Sequence, residues 1–355
     1  MRILVSLLIL CCSFSVFSQR YYTESYTQAD LGRGFNQQSH TPDAKCVTGQ
    51  VRYHSAMSGE LDYLQRLNAT QVRRRTFGEV HGGVNLFIIA GSVSTSITHR
   101  NSTDKLSLTS QLHLKFNEGY STLENRQLVA GYENNDCGNS FIYQLDYGRD
   151  VFINTRLHFR SEADYKRFVT KIKIRLLFFK KTITKVKLIE KYAANAVLSI
   201  DANSSAPLPA ELTSLLNNNT QHCRGSDITP CLTTLQRLSD YVFGNSGLAK
   251  DLKVMEKAPR GITTRSYEES GHYDIGYGVQ SNLENYDFIW HGIDKRYGLA
   301  VRRLARAEAF LAVALEPEKN TAQAEFDSAT VHLADMEILR QTCQVSPWEA
   351  RCKGD

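Results

Sequence analysis

The chain has 355 residues, a formal net charge of +5 and a hydrophobic content of 42%. That length holds one large domain or two smaller ones. The mild positive charge permits contact with anionic membranes, but no basic cluster is interleaved with base-stacking aromatics, so a nucleic-acid partner is not expected.

In chain order, Met1-Arg2 is followed by an apolar run from Ile3 to Val16 and then by Phe17-Ser18-Gln19. One positive charge, a hydrophobic stretch and a small residue before a polar stretch predict a secretory signal peptide over residues 1–18. The run is short for a membrane-spanning helix, which needs about 20 residues. Cleavage after Ser18 removes Cys11 and Cys12 and leaves Cys46, Cys137, Cys223, Cys231, Cys343 and Cys352. An even number in an exported chain predicts disulfides. Cys223 with Cys231 and Cys343 with Cys352 close small loops, which leaves Cys46 for Cys137. No Cys-x-x-Cys and no His pair at ligand spacing occurs, so neither metal nor cofactor is expected. Asn68, Asn101, Asn203 and Asn218 head Asn-x-Ser/Thr sequons, surface sites in a glycosylating host.

Residues 19–50 are polar and turn-rich. A short helix is predicted over 59–75, with Leu61, Leu64 and Leu67 on one stripe. The stretch from Phe77 to Thr98 is rich in Gly, Ser, Val and Ile. Leu106, Leu108, Leu112, Leu114 and Phe116 alternate with polar residues and predict a half-buried strand. A second strand is predicted over 151–160, where Val151, Ile153, Thr155, Leu157 and Phe159 face one way and Asn154, Arg156, His158 and Arg160 the other. Ser161 opens a helix, with Asp164 completing an imperfect capping box. Another strand is predicted from Ala193 to Ile200, a helix over 232–243, and strand and turn over 250–280. Residues 282–342 carry two helical stripes separated by Pro317, which predicts a helical hairpin turning at Glu316–Asn320.

Cys137-Gly138-Asn139-Ser140-Phe141, six further residues and Gly148 stand just ahead of the 151–160 strand. This pattern resembles the signature of the membrane-attack-complex/perforin family, an aromatic, Gly, Thr or Ser, His and an aromatic, then about six residues and Gly-Gly. Gly138, Phe141 and Gly148 match it. Cys137 stands for the first aromatic, Asn139 for the Thr or Ser, Ser140 for the His and Arg149 for the second Gly. The resemblance implies an α+β fold, a bent and mainly antiparallel central β-sheet flanked by two helical clusters, over residues 19–280, with a helical C-terminal region at 281–355. It also implies that the clusters convert to membrane β-hairpins, that Gly138 and Gly148 let the sheet bend, and that 77–100 and 161–192 are the convertible segments.

The residues of the second segment support this by themselves. At period 2, Ile172, Ile174, Leu176, Phe178, Val186 and Leu188 share a face opposite Lys171, Lys173, Arg175, Lys181, Lys185 and Lys187. At helical spacing, Phe168, Ile172, Leu176, Phe179, Ile183 and Val186 also form a stripe. A segment that is first a helix and later a lipid-facing strand needs both periods, and a hairpin of membrane strands fits into 171–190 at about 9–11 residues per strand. The same pattern also describes a surface helix with its lysines in water.

No nucleophile elbow, phosphate loop, zincin motif or dinucleotide fingerprint is present, and the ten His residues are scattered. The expectation is therefore a non-enzymatic, secreted protein, membrane-associated when assembled. Its partners are a lipid membrane, anionic lipid included, copies of itself in an arc or ring, and a protein receptor. Cytolysis is the activity implied; adhesion or partner binding without lysis is the alternative.

Overall fold

The computed structural model describes residues 19–37, 40–77, 86–88, 93–131, 136–171, 189–216, 220–244, 247–271 and 283–354. The chain starts with β1 (Gln19–Tyr22), β2 (Arg33–Asn36), β3 (Thr41–Lys45), β4 (Val47–His54) and β5 (Ser58–Gln65), followed by α1 (Ala69–Phe77), β6 (Leu86–Ile88) and α2 (Val93–Arg100). Two long strands come next, β7 (Ser107–Leu128) and β8 (Ser140–His158), then α3 (Glu162–Lys171) and β9 (Val197–Ser204). Short elements complete the sheet: α4 (Ala210–Leu215), β10 (Thr220–Arg224), α5 (Thr229–Phe243), α6 (Leu248–Val254) and β11 (Pro259–Arg265). The C-terminal hairpin consists of α7 (Leu283–Ala312) and α8 (Lys319–Val345), closed by α9 (Ala350–Lys353).

Among the described residues all strands join one sheet of 11 strands, and every strand pairing is antiparallel except that of β1 with β6. The α+β class with a large antiparallel sheet and C-terminal helices is thus the observed one. Along β7, β8 and β9 one side-chain parity faces an apolar core under α3 to α6, including Leu108, Leu112, Val151, Ile153, Leu157 and Ile200. A second core surrounds the start of β8, where Phe35, Phe141, Leu145 and Ile262 pack around the Cys46–Cys137 disulfide. Cys223–Cys231 and Cys343–Cys352 are the other two disulfides among the described residues.

Several elements differ from their sequence reading. The helix expected over 59–75 is two elements. Residues 58–65 pair with β7 from Ser58↔Asn117 to Gln65↔Ser110, so Leu61 is exposed while Leu64 is buried. Three leucines at helical spacing mislead here, because the backbone groups of β7 offer a ladder that outweighs a weak local stripe. The helix begins only after Asn68, whose carboxamide accepts from Gln71 N–H while Gln71 Oε1 accepts from Asn68 N–H, a reciprocal cap. The strand expected at 151–160 starts at Ser140, so Phe141 and Gly148 lie inside β8 instead of ahead of it. Residues 248–254 are helical, not extended, and the strand expected from Ala193 runs from Val197 to Ser204. The polar face of β7 and β8 is covered as well as the apolar one: Gln111, His113, Asn154, Arg156 and His158 are all buried.

Candidate functional site: the bend in the central sheet

The two long strands change partners at the same level. On its outer side β7 pairs with β5 over Ser110–Asn117 and with β4 over Tyr120–Leu128. On its outer side β8 pairs with β11 over Phe141–Tyr147 and with β9 over Val151–His158. Between β7 and β8 the register slips at Asn117/Gly119, opposite Gly148 and Tyr147. A bulge between two partner switches divides the sheet into two halves that share only β7 and β8, and a bulge bends and twists the strand that carries it.

Glycine is required at this line by contact. A β-carbon on Gly148 would lie 2.5 Å from Phe116 O, and one on Gly119 would lie 2.3 Å from His54 O. Gly119 also has φ of +123°, a region that L side chains avoid. Gly148 was legible from the family signature. Gly119 was not, because a single glycine in an alternating run carries no pairing information; its place in Asn117-Glu118-Gly119 was the available sign.

A buried ionic cluster ties the halves together. Asp150 accepts from Arg260 Nε at 2.7 Å, from Arg260 Nη2 at 3.1 Å, and pairs with His113 Nε2 at 2.9 Å. Arg260, on β11, also donates to Asn117 Oδ1 at 2.7 Å, so it spans from one half of the sheet to the bulge of β7. Burial would raise the Asp150 carboxyl, yet the Arg260 guanidinium and the His113 hydrogen bond outweigh it and hold it below the usual carboxylate range. Arg149 points to the opposite face, where it meets Glu118 at 3.6 Å and donates to Met255 Sδ and Glu256 O. Next to the cluster, Phe152 stacks on the His113 ring with centroids 4.3 Å apart.

The other signature residues fix the start of β8. Gly138 stands beside Phe35 and has φ of +63°. Ser140 Oγ donates to Phe35 O, and Tyr267 Oη donates to Cys137 O at 2.7 Å. Phe141 is fully buried against Tyr267. Residues 138–141 thus form an anchored strand entry, and Gly148 lies at the register slip between β7 and β8.

The connections β5→β7 and β8→β9 both leave the same end of the sheet, where Gln65 lies opposite Ser110, Ser107 opposite His158, and His158 opposite Val197. The first contains α1 and α2, the second α3. Helix α3 is capped by Ser161, whose hydroxyl accepts from Asp164 N–H and donates to its carboxylate. Its Phe168 is fully buried against Phe159, which stabilises the docked helix by about 1.5–3 kcal/mol. Ile172, Ile174, Leu176, Phe178, Val186 and Leu188 lie outside the described residues. Helices α1 and α2 are both tied to α7: Arg73 Nη2 of α1 lies 2.7 Å and His99 Nε2 of α2 2.9 Å from the Asp294 carboxylate. Gly298 of α7 leaves room for the His99 ring, which a β-carbon there would meet at 2.2 Å.

Between the sheet and α7 a polar layer links Arg156, Asn154 and Asn203 to Asp201, and Asn203 to Asn101. This corrects the surface placement of the sequons. Asn101 is fully buried with its carboxamide committed, and Asn203 is half-buried in the same network, whereas Asn68 is exposed. Asn218 is outside the described residues. The carboxylates of the His113–Asp150 and His99–Asp294 pairs are also engaged by Arg260 and Arg73. Among the described residues no cluster of His, Cys, Asp and Glu could hold a metal ion, and no helix is long and apolar enough to cross a membrane.

The fold so defined is an α+β protein built on a bent antiparallel sheet. No family model and no curated protein matches the sequence. Among solved structures, stonustoxin overlaps 90% of this chain and 40% of its own, at 9% identity and a TM-score of 0.32. GNIP1Aa from Chromobacterium piscinae overlaps 67% of this chain and 51% of its own, at 11% identity and a TM-score of 0.31. Astrotactin-2, described as a perforin-like membrane protein involved in neuronal development, overlaps 56% of this chain and 88% of its own, at 8% identity and a TM-score of 0.25. The chain therefore spans about half or less of the length of the first two.

Proposed function

We propose that this is a secreted, perforin-like protein that assembles on a target membrane and inserts the connections β5→β7 and β8→β9 as β-hairpins. The observation that carries the reading is the antiparallel order β5-β7-β8-β9, consecutive apart from the short β6, with both connections issuing from one end. Drawing each connection out into strands prolongs existing ladders and breaks none of the central pairing. Residues 66–106 and 159–196 each hold more than the roughly 20 residues that two membrane strands require. An open four-strand extension would leave unpaired edges in lipid, so insertion requires several copies closing a barrel. The bend and its glycines support the reading because the sheet has to change curvature as the helices leave it. The disulfides support an extracellular setting.

The test is dye release from neutral and anionic liposomes by the mature protein, and by a variant with cysteines at Phe159 and Phe168, whose rings pack together, once mass analysis shows that the disulfide has formed. Release by the parent, abolished by this tether and restored under reduction that leaves the parent active, supports insertion. Release that persists with the tether intact refutes conversion of α3.

A second reading rests on the C-terminal hairpin, where Val331, Ile338 and Val345 recur every seven residues on α8 and are 61%, 59% and 85% exposed. Such a stripe fits a partner helix and a non-lytic adhesive role. Absence of release from every lipid mixture by folded monomer favours it.

A further inference from the structure

At the end of the sheet from which both connections leave, the face of α7 forms a cavity of about 230 Å³ with the residues that follow β8. Its floor is apolar, with Phe159 and Phe310, and its walls carry Arg160, Arg303 and Arg306 against Glu325. We propose that this cavity binds a phosphate ester, with Arg306 as its central ligand.

Three features support the assignment. First, Arg306 is half-buried on α7 and, among the described residues, has neither an ion-pair nor a hydrogen-bond partner. Three other cations of this end are ion-paired: Arg100 with Glu308 at 3.1 Å, Arg156 with Asp201 at 3.0 Å, and Arg160 with Glu318 at 2.8 Å. Its guanidinium nitrogens are not buried and face the open cavity unpaired, so an incoming anion meets them without having to displace a carboxylate. Second, the excess positive charge is felt locally. Burial lowers the His158 pKa well below its ordinary value, and the charges of Arg156, His222, Arg306 and Arg100 lower it further. Third, the rim arginines are positioned but not locked. Arg160 lies over the Phe310 ring at 4.8 Å, and its partner Glu318 is more than half exposed, while Arg303 spends one hydrogen bond on Ser328 Oγ at 3.1 Å.

The chemistry of the donors selects the ligand. Guanidinium groups bind phosphate oxygens in bidentate fashion, and several around one small cavity suit an anion with more oxygens than a carboxylate. The aromatic floor accepts the carbon part of an ester. A phospholipid headgroup and a soluble phosphate ester share this chemistry. The site does not depend on pore formation, and its test reads binding alone.

The experiment titrates glycerol 3-phosphate into the mature protein by calorimetry, and in parallel floats the protein with phosphatidylcholine vesicles containing or lacking phosphatidic acid. Arg306→Gln is expected to weaken binding about ten- to hundredfold, as loss of a charged hydrogen bond does, with its thermal melt unchanged; Arg306→Lys recovers part of the loss. Arg303→Gln, on the exposed rim, is a second variant with a smaller loss. Arg52→Gln, on a distant exposed edge strand, controls for net charge. Binding of the soluble ester alone identifies a soluble ligand, and flotation alone identifies a lipid headgroup; both support the site when sensitive to Arg306. Equal losses for Arg306→Gln and Arg52→Gln, or no binding to either probe, overturn it.

Discussion

Replacing Gly119 by alanine tests whether the bulge of β7 is a built bend. The residue has φ of +123°, and a β-carbon there would lie 2.3 Å from His54 O and 2.8 Å from Tyr53 Oη. Holding an L residue in that backbone region costs of order 1–3 kcal/mol. The carbonyl belongs to an adjacent strand and can move only by displacing β4, an overpacking that typically costs another ~1–3 kcal/mol. The expected loss is therefore about 2–6 kcal/mol, a large share of the 5–15 kcal/mol that holds a typical domain together. Two other glycines separate the contributions. Gly131 has φ of +93° and nothing within 4 Å, so Gly131→Ala carries the backbone cost alone. Gly59 has only Phe116 Cδ2 at 3.8 Å and no positive φ, so Gly59→Ala is neutral or stabilising by about 0.4–1 kcal/mol. Urea unfolding of the three variants, compared at equal m, reads the differences. A Gly119→Ala protein no less stable than Gly131→Ala would refute the close approach at the bend.

Asp150→Asn leaves Arg260 buried without its counter-charge and should cost about 3–5 kcal/mol in denaturant unfolding, whereas breaking an exposed contact such as Arg52–Glu124 by Arg52→Gln should cost no more than about 1 kcal/mol. Acid should weaken the hold of α7 on α2. Burial would raise the Asp294 carboxyl, but the His99 and Arg73 contacts outweigh it and hold it at about 2 against an ordinary 3.8. A depressed carboxylate contributes stability that is complete above its unfolded pKa and lost as pH falls through its folded one. The hydrogen-exchange protection of α2, taken relative to the intrinsic rate at each pH, should therefore fall between about pH 4 and pH 2, and unchanged protection in that window would show that Asp294 does not hold α2. In a glycosylating host, peptide mass mapping should find a glycan on exposed Asn68 and none on Asn101, whose carboxamide is buried in the Asn203 and Arg156 network.

Elements whose own residues set their environment were legible in advance. The strand over 151–160 alternates so strongly that both faces could be assigned, and the Ser161 cap and the C-terminal hairpin follow from local chemistry. The cysteines could be paired because Cys223–Cys231 and Cys343–Cys352 close short loops, leaving Cys46 for Cys137 across 91 residues. The family signature led to Gly148, though not to its position within a strand. Residues 58–65 misled because a strand at a sheet edge is stabilised by its neighbour's backbone, which its own sequence does not display.

The sequence by itself determined the two short-loop cysteine pairs, the two-period pattern of 171–190 and the alternation of the 106–116 and 151–160 strand segments, since each depends on residues close together in the chain. Only the tertiary structure decided that β7 and β8 exchange partners at one level, that Arg260 reaches across to Asp150 from 110 residues away, and that α7 lays its arginines over the polar face of the sheet. Those features depend on which distant segments meet. The free energy of a buried charge is set by the partners that tertiary folding brings to it, and no local pattern encodes them.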